Sequence, residues 1–221
     1  AATPYAEAAN IARTLKEWHA AGIPWQRMAV ATADAANMPG ILATTLQAAG
    51  VPHYIARKDS ASRHGLCRML LGALRCATGG YATRDVLHMM KSGFSPLTME
   101  EAHILENYAL ENGIDHGKWR KPFTRGEMAE MAEELRMRLI TPVETLHDRL
   151  KEAKSAAQSV EAVFRLLEDV GAYAKLLQRE EELIRRNMGA EAAQNRQVWQ
   201  MIMDLLDQLH ALLGERRAAM K

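Results

Sequence analysis

The hydrophobic positions near the start of the chain repeat every three or four residues. Thr3 supplies a capping hydroxyl, and Pro4 suits the first position of a helix. Gly22 ends the repeat. The pattern therefore predicts an amphipathic first helix, and its buried face is expected to hold Ala8, Ile11, Leu15 and Trp18.

Two short apolar runs follow, at 28–32 and 53–56, with a helical pattern from Pro39 to Ala49 between them. The run at 28–32 does not alternate apolar and polar residues, which favours a strand that is covered on both faces. The pattern predicts one unit of strand, helix and parallel strand. Two short strands are too few for an independently stable sheet. We therefore expect residues 1–61 to form a small, incomplete α/β lobe whose other strands lie outside this sequence.

From about residue 62 onward, helix signals replace strand signals. A helical stripe ends at Gly79-Gly80, and Thr83 is expected to cap a helix that Gly93 ends. Three Thr-x-x-Glu sequences predict further helix starts: Thr98 with Glu101, Thr124 with Glu127, and Thr141 with Glu144, the last with Pro142 at the first helical position.

The last part of the sequence predicts three more helices, over Ser159 to Val170, Ala172 to Asn187 and Ala190 to Leu213. In the last of them an apolar seam is expected at Val198, Ile202, Leu205, Leu209 and Leu212. The predicted fold class is mainly α. It consists of the incomplete α/β lobe with two short parallel strands, followed by a helical bundle over residues 62–221.

Composition limits the class of protein. The chain has 28 basic and 27 acidic side chains, so its formal net charge of +1 creates no global attraction for nucleic acid, and any contact with DNA needs a local patch. Two cysteines are too few for a disulfide framework, and no apolar run is long enough to span a membrane. We expect a reduced, cytoplasmic protein without a membrane partner.

The sequence offers little catalytic chemistry. The segment from Gly113 to Lys118 is one residue short of a phosphate-binding loop, and Trp119 stands where a hydroxyl belongs. Two Glu-x-x-His motifs resemble those of di-iron bundles: Glu100 with His103 and Glu144 with His147. We expect these residues to be surface groups, because each Glu falls in the first turn of a predicted helix. We therefore predict no catalytic, cofactor-binding or metal-ligating residue and no turnover by this chain alone.

Between Val86 and Trp119 the chain has a Lys-x-Gly turn, a helix with Leu-Glu-Asn-Tyr at 105–108, and a Gly-Ile step before the Trp. This order of elements resembles the middle of the B subunit of the bacterial AddAB helicase-nuclease family. The passage from 29 to 55 is similar to the entry into the second motor domain of UvrD-like helicases. Gln197 to Trp199 and Leu205 to Leu209 also fit the family.

The resemblance implies that residues 1–61 correspond to the start of the second motor domain and residues 62–221 to the helical subdomain inserted into it. The parent subunit would work with an A subunit as helicase and exonuclease in double-strand break processing and recombinational repair. Its ATP, magnesium and iron-sulfur cluster would lie outside this chain. We expect an internal, non-catalytic segment that positions DNA or the remaining domains of the subunit. The alternatives are a protein-docking helical scaffold without DNA contact and a metal-dependent helical enzyme.

Basic residues beside aromatic residues are the remaining functional signal. Around Trp119, cations are placed to meet phosphates while the ring stacks on a base, although a buried anchor is the alternative for this Trp. Further basic residues lie at the junction of the two predicted lobes. The predicted contacts to duplex or single-stranded DNA are Arg57, Lys58, Arg63, Lys118, Trp119, Arg120 and Lys121.

Overall fold

The computed structural model describes residues 3–34, 37–55, 61–214 and 216. The chain divides into two compact units, residues 1–59 and 60–221. The described residues are mainly helical and include nine α-helices, in agreement with the predicted class. The boundary between the units lies close to residue 62, where the sequence pattern changes.

The first unit contains α1 (Pro4–Ala20) and α2 (Met38–Ala48). The hydroxyl of Thr3 accepts a hydrogen bond from the Ala6 amide at 3.2 Å, so the predicted cap is confirmed. The two helices pack on a small core, but Trp18 is 46% exposed and its predicted burial is wrong. The buried side chains of this unit are Ala8, Ala12, Leu15, Met38, Leu42, Leu46 and Val51.

The two predicted strands are absent from the described part of the first unit. Segments 28–32 and 51–55 are irregular, and the side chains of Val30 and Tyr54 are 42% and 91% exposed. The expectation that segment 28–32 is covered on both faces is therefore wrong. A strand needs a neighbour to pair its backbone N–H and C=O groups, and these segments find none among the described residues. Ala56, the last residue of the second predicted strand, lies outside the described residues.

The second unit is a helical bundle. Its helices pack around a larger core, in which α3 contacts α4 and α6, and α9 contacts α7 and α8. Gly72 permits the close approach of α3 to α4, because a Cβ there would lie 2.9 Å from the Cβ of Met89. The helices are α3 (Gly65–Gly79), α4 (Thr83–Met90), α5 (Met99–Glu111), α6 (Ala129–Glu152), α7 (Ala156–Asp169), α8 (Ala172–Arg185) and α9 (Gly189–Leu213).

One of the three predicted capping boxes is confirmed. The Thr98 hydroxyl accepts a hydrogen bond from the Glu101 amide, and the Glu101 carboxylate accepts one from the Thr98 amide. The box at Thr124 is wrong, because α6 begins at Ala129. The box at Thr141 is also wrong, because Thr141 and Pro142 lie inside α6, which continues without a break.

The seam of α9 differs from the predicted one by about one residue. Val198 and Ile202 are buried as expected, but the next buried position is Leu206, while Leu205 and Leu212 are exposed. The contacts of α9 with α7 and α8 select this face. A straight α-helix has 3.6 residues per turn, so seven residues make slightly less than two turns. A seam assigned with a strict seven-residue repeat therefore drifts off the buried face.

Candidate nucleic-acid interface

Trp119 is the anchor of the loop that was predicted to contact DNA. Its side chain is fully buried, and its indole Nε1 donates a hydrogen bond to the hydroxyl of Thr83 at 3.1 Å. The ring also packs against Phe123, with centroids 5.9 Å apart. A ring in this position has no exposed face on which a base can stack. The predicted DNA contact of Trp119 is therefore corrected: this residue holds the loop from behind.

Thr83 and Asp115 join the same loop to the start of α4. The residue before α4 is Ala82, so the predicted capping role of Thr83 is wrong. Asp115 does the capping instead, because its Oδ1 accepts hydrogen bonds from the Thr83 amide at 2.9 Å and the Thr83 hydroxyl at 2.7 Å. These bonds hold the pKa of the Asp115 carboxyl well below its usual value.

Arg136 fastens the loop to α6. Its guanidinium is buried and donates to the backbone oxygen of Trp119 at 3.0 Å and to the carboxylate of Glu133 at 2.6 and 2.7 Å. The Glu133 carboxylate also accepts a hydrogen bond from the Phe123 amide at 2.8 Å. The bond from Arg136 is the main reason that the pKa of Glu133 is lowered. The buried charge is thus paired with a carboxylate and also bonded to the loop backbone, which offsets its desolvation.

Tyr108, from the Leu-Glu-Asn-Tyr helix, holds the far end of the loop. Its hydroxyl donates to the backbone oxygen of Arg125 at 2.8 Å, and its ring stacks on Phe123 with centroids 5.0 Å apart. The neighbouring Glu106 forms an ion pair with Lys91 at 2.5 Å. Leu105 and Tyr108 are both buried. The motif therefore joins the Lys-x-Gly turn, α5 and the loop.

The outer side of this loop is basic. Residues 116–126, called the basic loop from here on, contain four Lys or Arg residues and no Asp or Glu. Lys118 donates to the backbone oxygen of Gly113 at 2.7 Å, and Arg120 forms an ion pair with Glu144 at 3.1 Å. Lys121 and Arg125 are exposed, and neither side chain has an ion pair within the described part of the chain.

The structure places the remaining predicted contacts elsewhere or leaves them outside its description. Arg63 is exposed at the end of a short 3-10 helix, Ala61–Arg63, in the second unit. Arg57 and Lys58 lie outside the described residues. The structure therefore brings together the four predicted residues from Lys118 to Lys121, which are adjacent in sequence. Sequence reasoning missed Arg125 and Arg136, and it gave Thr83 only the role of a helix cap. The one sequence signal for Arg136 is its position within the apolar stripe of α6.

Of the two Glu-x-x-His motifs, Glu144 and His147 have structural partners, whereas Glu100 and His103 are exposed. Burial raises the pKa of Cys76 to about 12, and both cysteines are buried in the core of the second unit. Glu144 pairs with Arg120, and His147 shares a hydrogen bond with the backbone oxygen of Ala77 at 2.6 Å. Glu144 lies within α6, so its expected place in the first turn of a helix is wrong. Among the described residues (3–34, 37–55, 61–214 and 216), no three His, Cys, Asp or Glu side chains lie together in a way that could bind a metal ion.

None of the helices in the described ranges combines the length and the apolar character needed to cross a bilayer.

Comparison with known proteins agrees with the resemblance seen in the sequence. The chain is similar to proteins named as the B subunit of an ATP-dependent helicase/deoxyribonuclease. It is 28% identical to the one from Alkaliphilus metalliredigens over 90% of this chain, and 24% identical to the one from Caldanaerobacter subterraneus over 97%. With the protein from Clostridium novyi the identity is 25% over 100% of this chain. The chain spans 19–20% of the length of these relatives. No protein-family model matches it.

Proposed function

We propose that this chain is a non-catalytic, DNA-contacting segment of a B-type subunit of an ATP-dependent helicase/deoxyribonuclease. The activity proposed for the whole subunit is taken from the names of the relatives. The basic loop is the observation that supports DNA contact. It contains four cations and no carboxylate, and buried hydrogen bonds of Trp119 and Arg136 hold its backbone in place. Lys and Arg on such a surface suit the phosphate backbone, which attracts cations without regard to base sequence.

The anchoring of the loop supports this proposal. Trp119, Arg136 and Tyr108 fix its backbone at three points, while the side chains of Lys121 and Arg125 remain exposed. A rigid backbone lowers the entropy cost of presenting cations to a partner. Arg120 contributes less, because Glu144 neutralises it. The cations proposed to meet phosphates are therefore Lys118, Lys121 and Arg125.

The wider role follows from the resemblance. In this proposal, residues 1–61 belong to the second motor domain and residues 62–221 to the helical subdomain inserted into it. ATP, magnesium and an iron-sulfur cluster would be bound by other parts of the subunit, and an A subunit would complete the complex. The work of that complex would be the processing of double-strand DNA ends in recombinational repair. This chain would position the DNA for it.

The test is a titration of fluorescent DNA with the 221-residue chain, measured by fluorescence anisotropy. The DNA is either a duplex of about 20 base pairs or an oligo-dT of about 20 nucleotides, and each titration is done at about 25 and 150 mM salt. The double variant Lys118→Glu with Lys121→Glu should weaken binding at least about tenfold at low salt. It should also flatten the salt dependence, since each lost phosphate contact removes about 0.9 from the slope of log K against log salt.

The matched control reverses the charges of Lys151 and Lys154 by substitution with Glu. These two exposed lysines lie at and beyond the end of α6 and have no ion pair among the described residues. Both double variants change the net charge by the same amount, so a global charge effect would weaken binding equally in the two proteins. The proposal requires the loss to be confined to the basic-loop variant. Equal affinity of the two variants, or no binding by the wild type at low salt, would refute it.

One surface favours a second function, the docking of another protein domain. Along α8, the side chains of Tyr173, Leu177 and Ile184 are 51%, 42% and 53% exposed. The first two line a groove of about 770 Å³ together with Trp199 of α9. Exposed apolar patches of this kind are typical of protein contacts. A chain with this function alone would bind no DNA in the titration above.

A further inference from the structure

The charges of the second unit are distributed unevenly along the chain. Residues 60–99 contain five Lys or Arg residues and a single carboxylate, that of Asp85. Residues 100–221 contain 18 Lys or Arg residues and 22 Asp or Glu residues. The near-neutral net charge of the chain therefore includes a strongly basic segment, and this segment forms α3 and α4. Attraction for an anion is expected to be local to such a segment rather than global.

Two cations of this segment, Arg75 of α3 and Arg84 of α4, are exposed. Their side chains are 55% and 76% accessible to solvent. Leu71 and Thr78 lie on the same face of α3 as Arg75 and are exposed as well. The two guanidinium groups are therefore accessible to a partner.

Asp85 attracts both arginines without occupying their hydrogen-bond donors. The Nη1 atom of Arg75 and the Nε atom of Arg84 each lie 3.7 Å from Asp85 Oδ1, which is too far for a hydrogen bond. These two nitrogens are thus no farther apart than twice that distance. Oδ1 is buried and accepts no hydrogen bond within the described residues. Since one carboxylate balances only one guanidinium, the pair keeps a positive charge as well as its donors.

The pair lies next to the basic loop. Arg84 directly follows Thr83, whose hydroxyl accepts the hydrogen bond from the Trp119 indole at 3.1 Å. The carboxylate nearest to this junction is that of Asp115. Its Oδ1 accepts hydrogen bonds from Thr83 and from the His116 amide, and its Oδ2 lies 2.9 Å from the His116 imidazole. Asp115 is therefore engaged with other donors and forms no ion pair with Arg84.

We propose that Arg75 and Arg84 form a second contact with the phosphate backbone of DNA, beside the basic loop. Two guanidinium groups this close together can donate to one phosphate from two sides. The planar fork of donors in Arg also matches the geometry of phosphate. The choice of DNA as the partner rests on the function proposed for the basic loop. A second contact would fix the orientation of the DNA backbone on the second unit, which attraction at one point does not do.

The experiment repeats the anisotropy titration of the full chain with the fluorescent duplex at about 25 and 150 mM salt. The double variant Arg75→Gln with Arg84→Gln should weaken binding at least about fivefold at low salt. It should also lower the slope of log K against log salt by about 0.9 for each phosphate contact that is lost. Arg84→Gln alone leaves Arg75 beside the buried carboxylate of Asp85 and should weaken binding about threefold. Circular dichroism compares the folding of the variants.

The matched control is the double variant Arg165→Gln with Arg186→Gln. Both arginines are exposed and pair with a carboxylate, that of Glu168 and that of Glu182. The change in net charge equals that of the test variant, so a global charge effect would weaken both proteins equally. The inference is overturned if the two double variants bind the duplex with equal affinity. If the Arg75 and Arg84 double variant does not fold, Arg84→Gln against Arg165→Gln decides in the same way.

A decaglutamate peptide tests the alternative partner, an acidic protein segment. Binding of this peptide that needs Arg75 and Arg84, together with duplex binding that does not, would also overturn the inference.

The variant Lys118→Glu with Lys121→Glu separates this inference from the function proposed for the basic loop. If binding is lost in the lysine variant and retained in the arginine variant, the basic loop contacts DNA and the second contact is refuted. The opposite result supports the arginine pair and refutes the basic loop. Absence of duplex binding by the wild type at low salt would refute both.

Discussion

The two units of the chain are both built from helices but differ in the size of the core that those helices share. In the first unit, seven buried hydrophobic side chains form the core among the described residues, and Val30 and Tyr54 remain exposed on irregular segments. In the described part of the second unit, seven helices share a core that includes fully buried Trp119, Leu105 and Leu166. A helix satisfies its own backbone, whereas a strand depends on neighbours. The second unit therefore reaches a closed packing that the first does not show.

Arg136→Ala should have the largest effect on the stability of the second unit, because it removes a buried charge that ties the basic loop to α6. We expect the free energy of unfolding of the second unit to fall by about 2–4 kcal/mol. This is somewhat less than the roughly 3–5 kcal/mol of a fully buried pair, because the Glu133 carboxylate is partly exposed. Urea denaturation measures the loss. Arg165→Ala, which breaks an exposed ion pair with Glu168, is the control and should leave the urea midpoint almost unchanged.

A matched pair of core truncations tests whether the units unfold separately. Leu105→Ala in the large core and Leu46→Ala in the small core should each cost about 2–5 kcal/mol locally. Hydrogen exchange with mass spectrometry should show that Leu46→Ala accelerates exchange in α1 and α2 only, and that Leu105→Ala acts on the second unit. Loss of protection across both units in either variant would show that they unfold as one.

His64 should give the second unit a modest dependence on pH. Its pKa is lowered in the folded chain, mainly by burial, so a proton binds the unfolded chain more tightly. The stability that the neutral ring contributes to the fold is fully present above the unfolded pKa of about 6.5. It is lost as the pH falls below that value. Arg179 is the charged group that faces the ring from α8.

The measurement is the urea midpoint of wild type and His64→Gln between about pH 7.5 and pH 5, a range that spans the ordinary pKa of histidine. The wild type should lose more stability across this range than the variant does. A parallel decline of the two proteins would mean that other groups cause the acid effect.

Sequence patterns predicted the helices where the signal and its partner are close together. The box at Thr98 was correct, because hydroxyl and carboxylate act within one turn. The same pattern at Thr141 failed, because an apolar stripe that includes Leu139, Val143 and Leu146 is buried on both sides of Pro142 and holds the helix together. Packing over a long helix outweighed the cost of one missing hydrogen bond at Pro142.

The site was predictable only in part, for a related reason. The basic residues from Lys118 to Lys121 are adjacent in sequence and were recognised as a group. The groups that hold them are distant: Arg136 bonds to the backbone 17 residues away, and Thr83 to a side chain 36 residues away. Such pairs arise when α4, α5 and α6 pack together, and no local pattern encodes them. The burial of Trp119 follows from the same packing.

Hydrogen exchange of the full chain with and without the short duplex, at about 25 mM salt, tests whether the basic loop contacts DNA. We expect slower exchange in residues 116–126 when DNA is present, reversal of this protection at about 300 mM salt, and no protection in the Lys118→Glu and Lys121→Glu variant. Unchanged exchange across 116–126, or equal protection in the charge-reversed variant, would contradict the assignment of the basic loop as the DNA-contacting surface.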